Sequence, residues 1–220
     1  MSHEYKKVPW LFIIILIIIL IIFLITLIKQ ALNFHESNQL RDFFSNLNEQ
    51  TPVMTSHNPR KGNEKAKVII YEFSDFKCTY CAEMNSVVNK IINDYQDQVL
   101  FVWKQYPLAA NSTASAIAAQ CANEQNKFWE YKDILFQNQN SQAEIFFQQT
   151  ATGLGLDINK FQACQQSDDT ADDIDDDINE GFLLQVDATP YFFINDVRVS
   201  GYINYQDFKN IIEQELVVNS

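Results

Sequence analysis

Positive charge, histidine, cysteine and internal repetition are all in short supply in this chain, and each shortage removes a class of function. Sixteen Lys and Arg stand against 28 Asp and Glu, a net charge of −12 over 220 residues. That balance argues against nucleic acid as a partner and against a polybasic membrane patch. Three histidines and four cysteines provide no second Cys-x-x-Cys and no histidine pair to complete a zinc shell. The seven aspartates between Asp168 and Asp177 lack the glycine-containing loop of an EF-hand. They read as the solvated face of a helix whose apolar edge carries Ile174 and Ile178. No segment repeats.

What the chain does have is one long apolar run. From Val8 to Ile28 it is almost wholly Ile, Leu and Phe, and roughly 20 apolar residues at about 1.5 Å rise cross a hydrocarbon core. A cleaved signal peptide has a shorter apolar region ending at small residues, whereas Lys29-Gln30-Ala31-Leu32 follows here. The expectation is an uncleaved signal-anchor. Lys6 and Lys7 on the short head favour a cytoplasmic N-terminus, although Lys29 and Arg41 nearly balance them. The predicted organisation is a head over 1–7, a transmembrane anchor over 8–28, a stalk over 29–60 and a single domain over 61–220. The expectation is a single-pass protein of the cell membrane with its large domain extracytoplasmic. In the stalk, Leu40, Phe43, Phe44 and Leu47 share one helical face, so the segment is partly helical or docks a partner. Thr51-Pro52, Asn58-Pro59 and Gly62 break regular structure. His57 reads as a solvated loop histidine.

The domain alternates its elements. Val68–Phe73 is a continuous apolar strand, the pattern of burial on both faces. A helix runs from Cys78 to about Tyr95, and Val99–Gln105 is a second strand, so the crossover implies parallel pairing. Helices fill Asn111 to about Gln166 and the acidic run. A strand at Tyr191–Ile194, a turn at Asn195-Asp196 and a return strand at Val197–Ser200 form a hairpin. An amphipathic helix over Asn204–Leu216 closes the domain.

Chemistry concentrates at Cys78-Thr79-Tyr80-Cys81. Two cysteines on the first turn of a helix can close a small disulfide, and the helix N-terminus favours the thiolate of the first. Such a thiolate is a good leaving group, and its stability makes the disulfide oxidising. Lys77 beside it adds positive charge. Asp75 reads as a turn or capping residue. The aromatic cluster of Phe128, Trp129, Tyr131 and Phe136 reads as helix-packing core, with a substrate groove as the alternative.

Three segments carry a resemblance: Glu72-Phe73-Ser74-Asp75-Phe76-Lys77-Cys78, then Lys127-Phe128-Trp129-Glu130-Tyr131 running on to Phe136, then Ala188-Thr189-Pro190-Tyr191-Phe192-Phe193-Ile194-Asn195. In this order, around a Cys-x-x-Cys, they resemble the DsbA-like thiol:disulfide oxidoreductases. The resemblance implies a thioredoxin-like α/β fold with a helical insert at about 111–180. It also implies Cys78 as nucleophile, Cys81 as resolving thiol and Glu72 as a buried acid that relays the Cys81 proton. A partly solvated strand-end carboxylate is the alternative for Glu72. Pro190 is expected in cis, leaving Thr189 to offer main-chain groups to a substrate strand beside Thr79 and Tyr80. Related proteins carry a second cysteine pair where Cys121 and Cys164 stand. A structural disulfide is expected there, against two reduced core cysteines. No cofactor is implied beyond the Cys78–Cys81 disulfide. The implied partners are exported proteins with free thiols and a quinone-linked membrane reoxidase. The best-known oxidases carry Pro-His where this chain has Thr79-Tyr80. Oxidase is therefore the first reading, with isomerase or reductase, or a non-catalytic binding module, as alternatives.

Overall fold

A computed structural model describes Lys29, residues 51–109 and residues 111–218. The expected head and anchor, with most of the stalk, lie outside these residues. Among the described residues, no helix is long and apolar enough to cross a membrane.

Five strands form one mixed sheet: β1 (Arg60–Gly62), β2 (Val68–Ser74), β3 (Val99–Gln105), β4 (Tyr191–Ile194) and β5 (Val197–Ser200). Their spatial order is β1-β3-β2-β4-β5. The β2–β3 pair is parallel and the other three are antiparallel. Helix α1 (Thr79–Asp94) makes the crossover between β2 and β3. Five helices follow: α2 (Thr113–Asn123), α3 (Phe128–Gln137), α4 (Glu144–Gly153), α5 (Ile158–Gln165) and α6 (Asp168–Leu183). Helix α7 (Tyr205–Val218) ends the domain.

The two-residue period of the strands sorts the core into two layers. Val68 and Ile70 of β2, Phe101 and Trp103 of β3, and Phe192 and Ile194 of β4 point to one face. There they meet Met84, Val88 and Ile91 of α1 and the apolar sides of the insert. Phe128, Tyr131 and Phe136 are buried in this layer, as the core reading requires. Trp103 stacks on Phe76 at 5.2 Å and meets Phe128 edge-on at 5.5 Å. Tyr71, Phe73, Leu100, Val102 and Phe193 form the opposite layer with Leu184 and Val186. Helix α6 crosses that face so closely that a Cβ on Gly181 would fall 2.4 Å from the Tyr106 ring. Across the insert, Cys121 of α2 and Cys164 of α5 form a disulfide with Cα atoms 5.6 Å apart.

Two expectations are corrected on the second face. His57 is not a solvated loop histidine: its side chain is only 12% exposed, between Asp173 at 3.0 Å and Asp177 at 3.2 Å. Nor is the acidic run all solvated. Asp177 is 1% exposed and accepts from Asn58 Nδ2, Lys104 Nζ and the Gln105 main-chain N–H at 2.9–3.2 Å. The physical reason lies in β3, all of whose residues are buried. Lys104 enters this layer beside Val102, and a buried ammonium requires a buried counter-charge. Asp177 and Glu180, at 3.0 and 2.7 Å, supply it. Residues 53–58 fold onto the same hub, with the Val53 carbonyl accepting from Lys104 at 2.8 Å.

Candidate active site

Strand β2 ends at Ser74, and the chain turns at Asp75. One Asp75 carboxylate oxygen accepts from the Lys77 N–H at 2.7 Å, and the other from the N–H groups of Leu108 and Ala109 at 2.8 Å. This ties the loop after β2 to the loop after β3 and sets where α1 can start. Cys78 is the N-cap of α1, in extended backbone geometry. Its Sγ accepts from the Cys81 N–H at 3.3 Å, in the place where a serine or aspartate oxygen would satisfy a free helix N–H.

The opposite wall comes from the other end of the domain. The Thr189–Pro190 peptide is cis, and the Cys78 thiol donates to the Thr189 carbonyl at 3.2 Å. Pro190 is buried, Thr189 half-buried, and Thr79 and Tyr80 lie exposed beside Cys78. Both cysteines of the Cys-x-x-Cys are free thiols here, Cys78 half-buried and Cys81 buried.

The two sulfurs have opposite acidities. Hydrogen bonds from the Cys81 and Thr189 side chains, and from the Cys81 and Tyr80 N–H groups, hold Cys78 down at about 6 against an ordinary 9.0. Burial foremost, then the bond to Cys78 and the charge of Glu72, pushes the Cys81 thiol up. Glu72 lies on the α1 face of β2, 1% exposed, and its Oε2 finds no hydrogen-bond partner among the described residues. Burial raises it from 4.5 to about 7. A buried carboxyl with that acidity can change protonation near neutral pH.

Lys77, next to Cys78, is held from the insert: its Nζ donates to the Gln139 carbonyl at 3.0 Å. Sequence reasoning also passed over Lys132, which is 1% exposed and paired with Asp133 at 2.9 Å. Its ammonium also donates to Asn85 of α1, the helix that opens at Cys78. Burial lowers its pKa, while its positive charge works to lower that of Glu72. A signal was present: Lys132 stands four residues after Phe128 and four before Phe136, on the apolar side of α3. Among the described residues, no cluster of three or more His, Cys, Asp or Glu is placed to hold a metal ion.

A sequence model of the family described as thioredoxin matches residues 55–214. The chain belongs to the thioredoxin family. One curated relative, the Na(+)/H(+) antiporter NhaA 3 of Salinispora tropica, is 31% identical over 158 residues. That match covers 70% of this chain but 24% of the antiporter, so the chain spans about a quarter of that relative's length. Among solved structures, oxidised BdbD from Bacillus subtilis has a TM-score of 0.67 at 23% identity, covering 73% of this chain and 94% of its own. Alpha-DsbA1 from Wolbachia pipientis has a TM-score of 0.69 at 21% identity, covering 76% and 94%. At these identities the likeness establishes the fold, that of thiol–disulfide oxidoreductases of the DsbA and BdbD type. Chemistry within this thioredoxin-family chain rests on its own residues.

Proposed function

We propose that this protein is a thiol:disulfide oxidoreductase that forms disulfides in exported proteins through Cys78 and Cys81. One observation carries the reading: an acidic thiol caps a helix against the cis Thr189–Pro190 carbonyl while its partner thiol, one turn in, is buried and weakly acidic.

In the oxidised enzyme a substrate thiolate attacks Cys78 Sγ, forming a mixed disulfide and releasing Cys81 as the leaving thiolate. Glu72, near neutrality in acidity, supplies the proton that Cys81 takes. A second thiolate of the substrate then attacks the substrate sulfur of the mixed disulfide. Cys78 leaves as a thiolate, which its capping N–H groups stabilise. The substrate loses two electrons and the enzyme gains them. A quinone-linked membrane protein is the proposed acceptor that restores the Cys78–Cys81 disulfide. The anchor at 8–28 would hold the domain on the extracytoplasmic side, where disulfides persist.

Stabilising the reduced form favours the oxidase direction, and so places isomerase or reductase activity second. Equilibration of the full chain with glutathione buffers separates these readings. A potential near about −120 mV is the oxidase result, and one near about −270 mV the reductase result. Absence of any exchange with glutathione would leave only a binding module.

A further inference from the structure

The loop carrying Cys78 is gripped from the side by the helical insert, through a residue that takes no part in the exchange steps above. After α3, one 3-10 turn at Gln139–Ser141 brings Gln139 against that loop. The Gln139 side-chain amide donates to the Cys78 carbonyl at 2.8 Å and to the Phe76 carbonyl at 2.9 Å. The main-chain carbonyl of the same residue accepts from Lys77 Nζ at 3.0 Å. Phe76, Lys77 and Cys78 are thus all held by one residue more than 60 positions later in the chain. Gln142 stands beside it, shares the Phe76 carbonyl at a longer distance and makes no bond to the Cys78 carbonyl. It donates to the Leu135 carbonyl at 2.8 Å and the Phe76 carbonyl at 3.4 Å, and accepts from the Ser115 hydroxyl at 2.8 Å.

The grip falls on the peptide that starts α1. The Cys78 carbonyl already accepts the first helical bond, from the Ala82 N–H at 3.2 Å. A trans peptide holds its C=O and N–H rigidly opposed, so fixing the Cys78 carbonyl also fixes the direction of the Thr79 N–H. A carbonyl that accepts a second bond polarises its peptide and strengthens the donor at the other end. Both effects act on the Thr79 N–H, the first of α1, directly before the Tyr80 and Cys81 N–H groups that meet the Cys78 sulfur.

We propose that Gln139 is a positioning residue for thiol–disulfide exchange: by gripping the Cys78 and Phe76 carbonyls it fixes the helix N-terminus on which the Cys78 thiolate rests. The proposal depends on the exchange reading above. It makes the insert part of the reactive centre as well as of the core.

The test compares reduced wild-type protein with Gln139→Ala, Gln139→Met and Gln142→Ala, following thiolate absorbance and the pH profile of iodoacetamide alkylation. Both Gln139 variants move the Cys78 profile to higher pH. On its acid side they react about threefold more slowly, the ratio for a half-unit rise in pKa. Gln142→Ala keeps the wild-type profile, which separates loss of this grip from general loosening of the insert. Gln139→Met retains the length of the side chain without its donor and decides the matter if Gln139→Ala does not fold. A wild-type profile in a folded Gln139 variant overturns the proposal, and so does an equal shift in Gln142→Ala. Glutathione exchange by the wild type is measured alongside. Its absence would sink the exchange reading, whereas the alkylation comparison bears on Gln139 alone.

Discussion

Cys78 Sγ and the main-chain oxygen of Thr189 lie 3.2 Å apart across 111 positions of sequence. The contact joins the helix start that carries the thiol to the cis peptide that begins β4. Cys78 therefore has one side on helix N–H groups and the other on a strand end, and Tyr80, two residues on, is exposed.

If Cys78 attacks and Cys81 resolves, the two cysteines fail differently when removed. Cys81→Ala accumulates mixed disulfides with disulfide-bearing proteins, visible on non-reducing gels: the Cys78 thiolate attacks a protein disulfide, one protein sulfur leaves as a thiolate, and no resolving thiol follows. Cys78→Ala yields none, since the buried Cys81 with its raised pKa offers little thiolate. Adducts on Cys81 in the Cys78→Ala protein would reverse the assignment.

The depressed Cys78 pKa fixes a pH dependence. A group whose folded pKa falls from 9.0 to about 6 stabilises the folded reduced protein fully above its unfolded value. That contribution fades as pH drops through the folded value. Relative to the oxidised form, the reduced form gains stability from about pH 6 to about pH 9. Paired denaturation curves of the two redox forms measure it, and a gap that is flat with pH contradicts it.

Glu72 has the opposite sign. Its folded pKa is raised from 4.5 to about 7, so its favourable protonated state is complete below the unfolded value and is lost as pH rises through 7. Glu72→Gln is therefore neutral near about pH 4 and stabilising by up to about 3 kcal/mol near about pH 8. The same variant slows formation of the mixed disulfide, the step in which the departing Cys81 takes a proton, because the relay to Cys81 is removed. Urea unfolding at both pH values, with stopped-flow exchange, reads the two effects separately.

Asp177→Asn leaves Lys104 buried with a weakened partner and His57 with Asp173 as its one remaining carboxylate neighbour. Breaking a buried ion pair from one side costs about 3–5 kcal/mol. Glu180, also bonded to Lys104 at 2.7 Å, offsets part of this, so a loss of about 2–4 kcal/mol is expected. The Cys78 alkylation profile stays unchanged, because the hub lies on the far side of the sheet. Denaturation midpoints and that profile check the pair of statements.

Replacing Cys121 and Cys164 together by alanine opens a crosslink spanning 43 positions. Loop-closure entropy puts the cost at about 2–4 kcal/mol. Exchange at Cys78 persists in the double variant below its lowered melting temperature. Loss of exchange without loss of structure would give this second pair a redox role.

Much of this was written locally in the chain. The apolar strands, the helix opening at Cys-x-x-Cys and the hairpin after Thr189-Pro190 each depend on residue spacing and on neighbours a few positions away. Such patterns survive in one dimension. The elements therefore appear in the expected order, with β2 and β3 parallel, and Cys78 stands at the start of its helix. What tertiary structure decided is electrostatic partnership. A charge in a sequence does not say whether water or protein will surround it. Asp177 looks like one more aspartate in a solvated run until Lys104 is buried opposite it. Nothing local to Lys77 says that its ammonium will meet the Gln139 carbonyl 62 positions on. Glu72 acquires a neutral-range acidity only once burial leaves its carboxylate without enough donors. These outcomes depend on desolvation and on bonds spanning tens to more than a hundred residues, which no local pattern encodes.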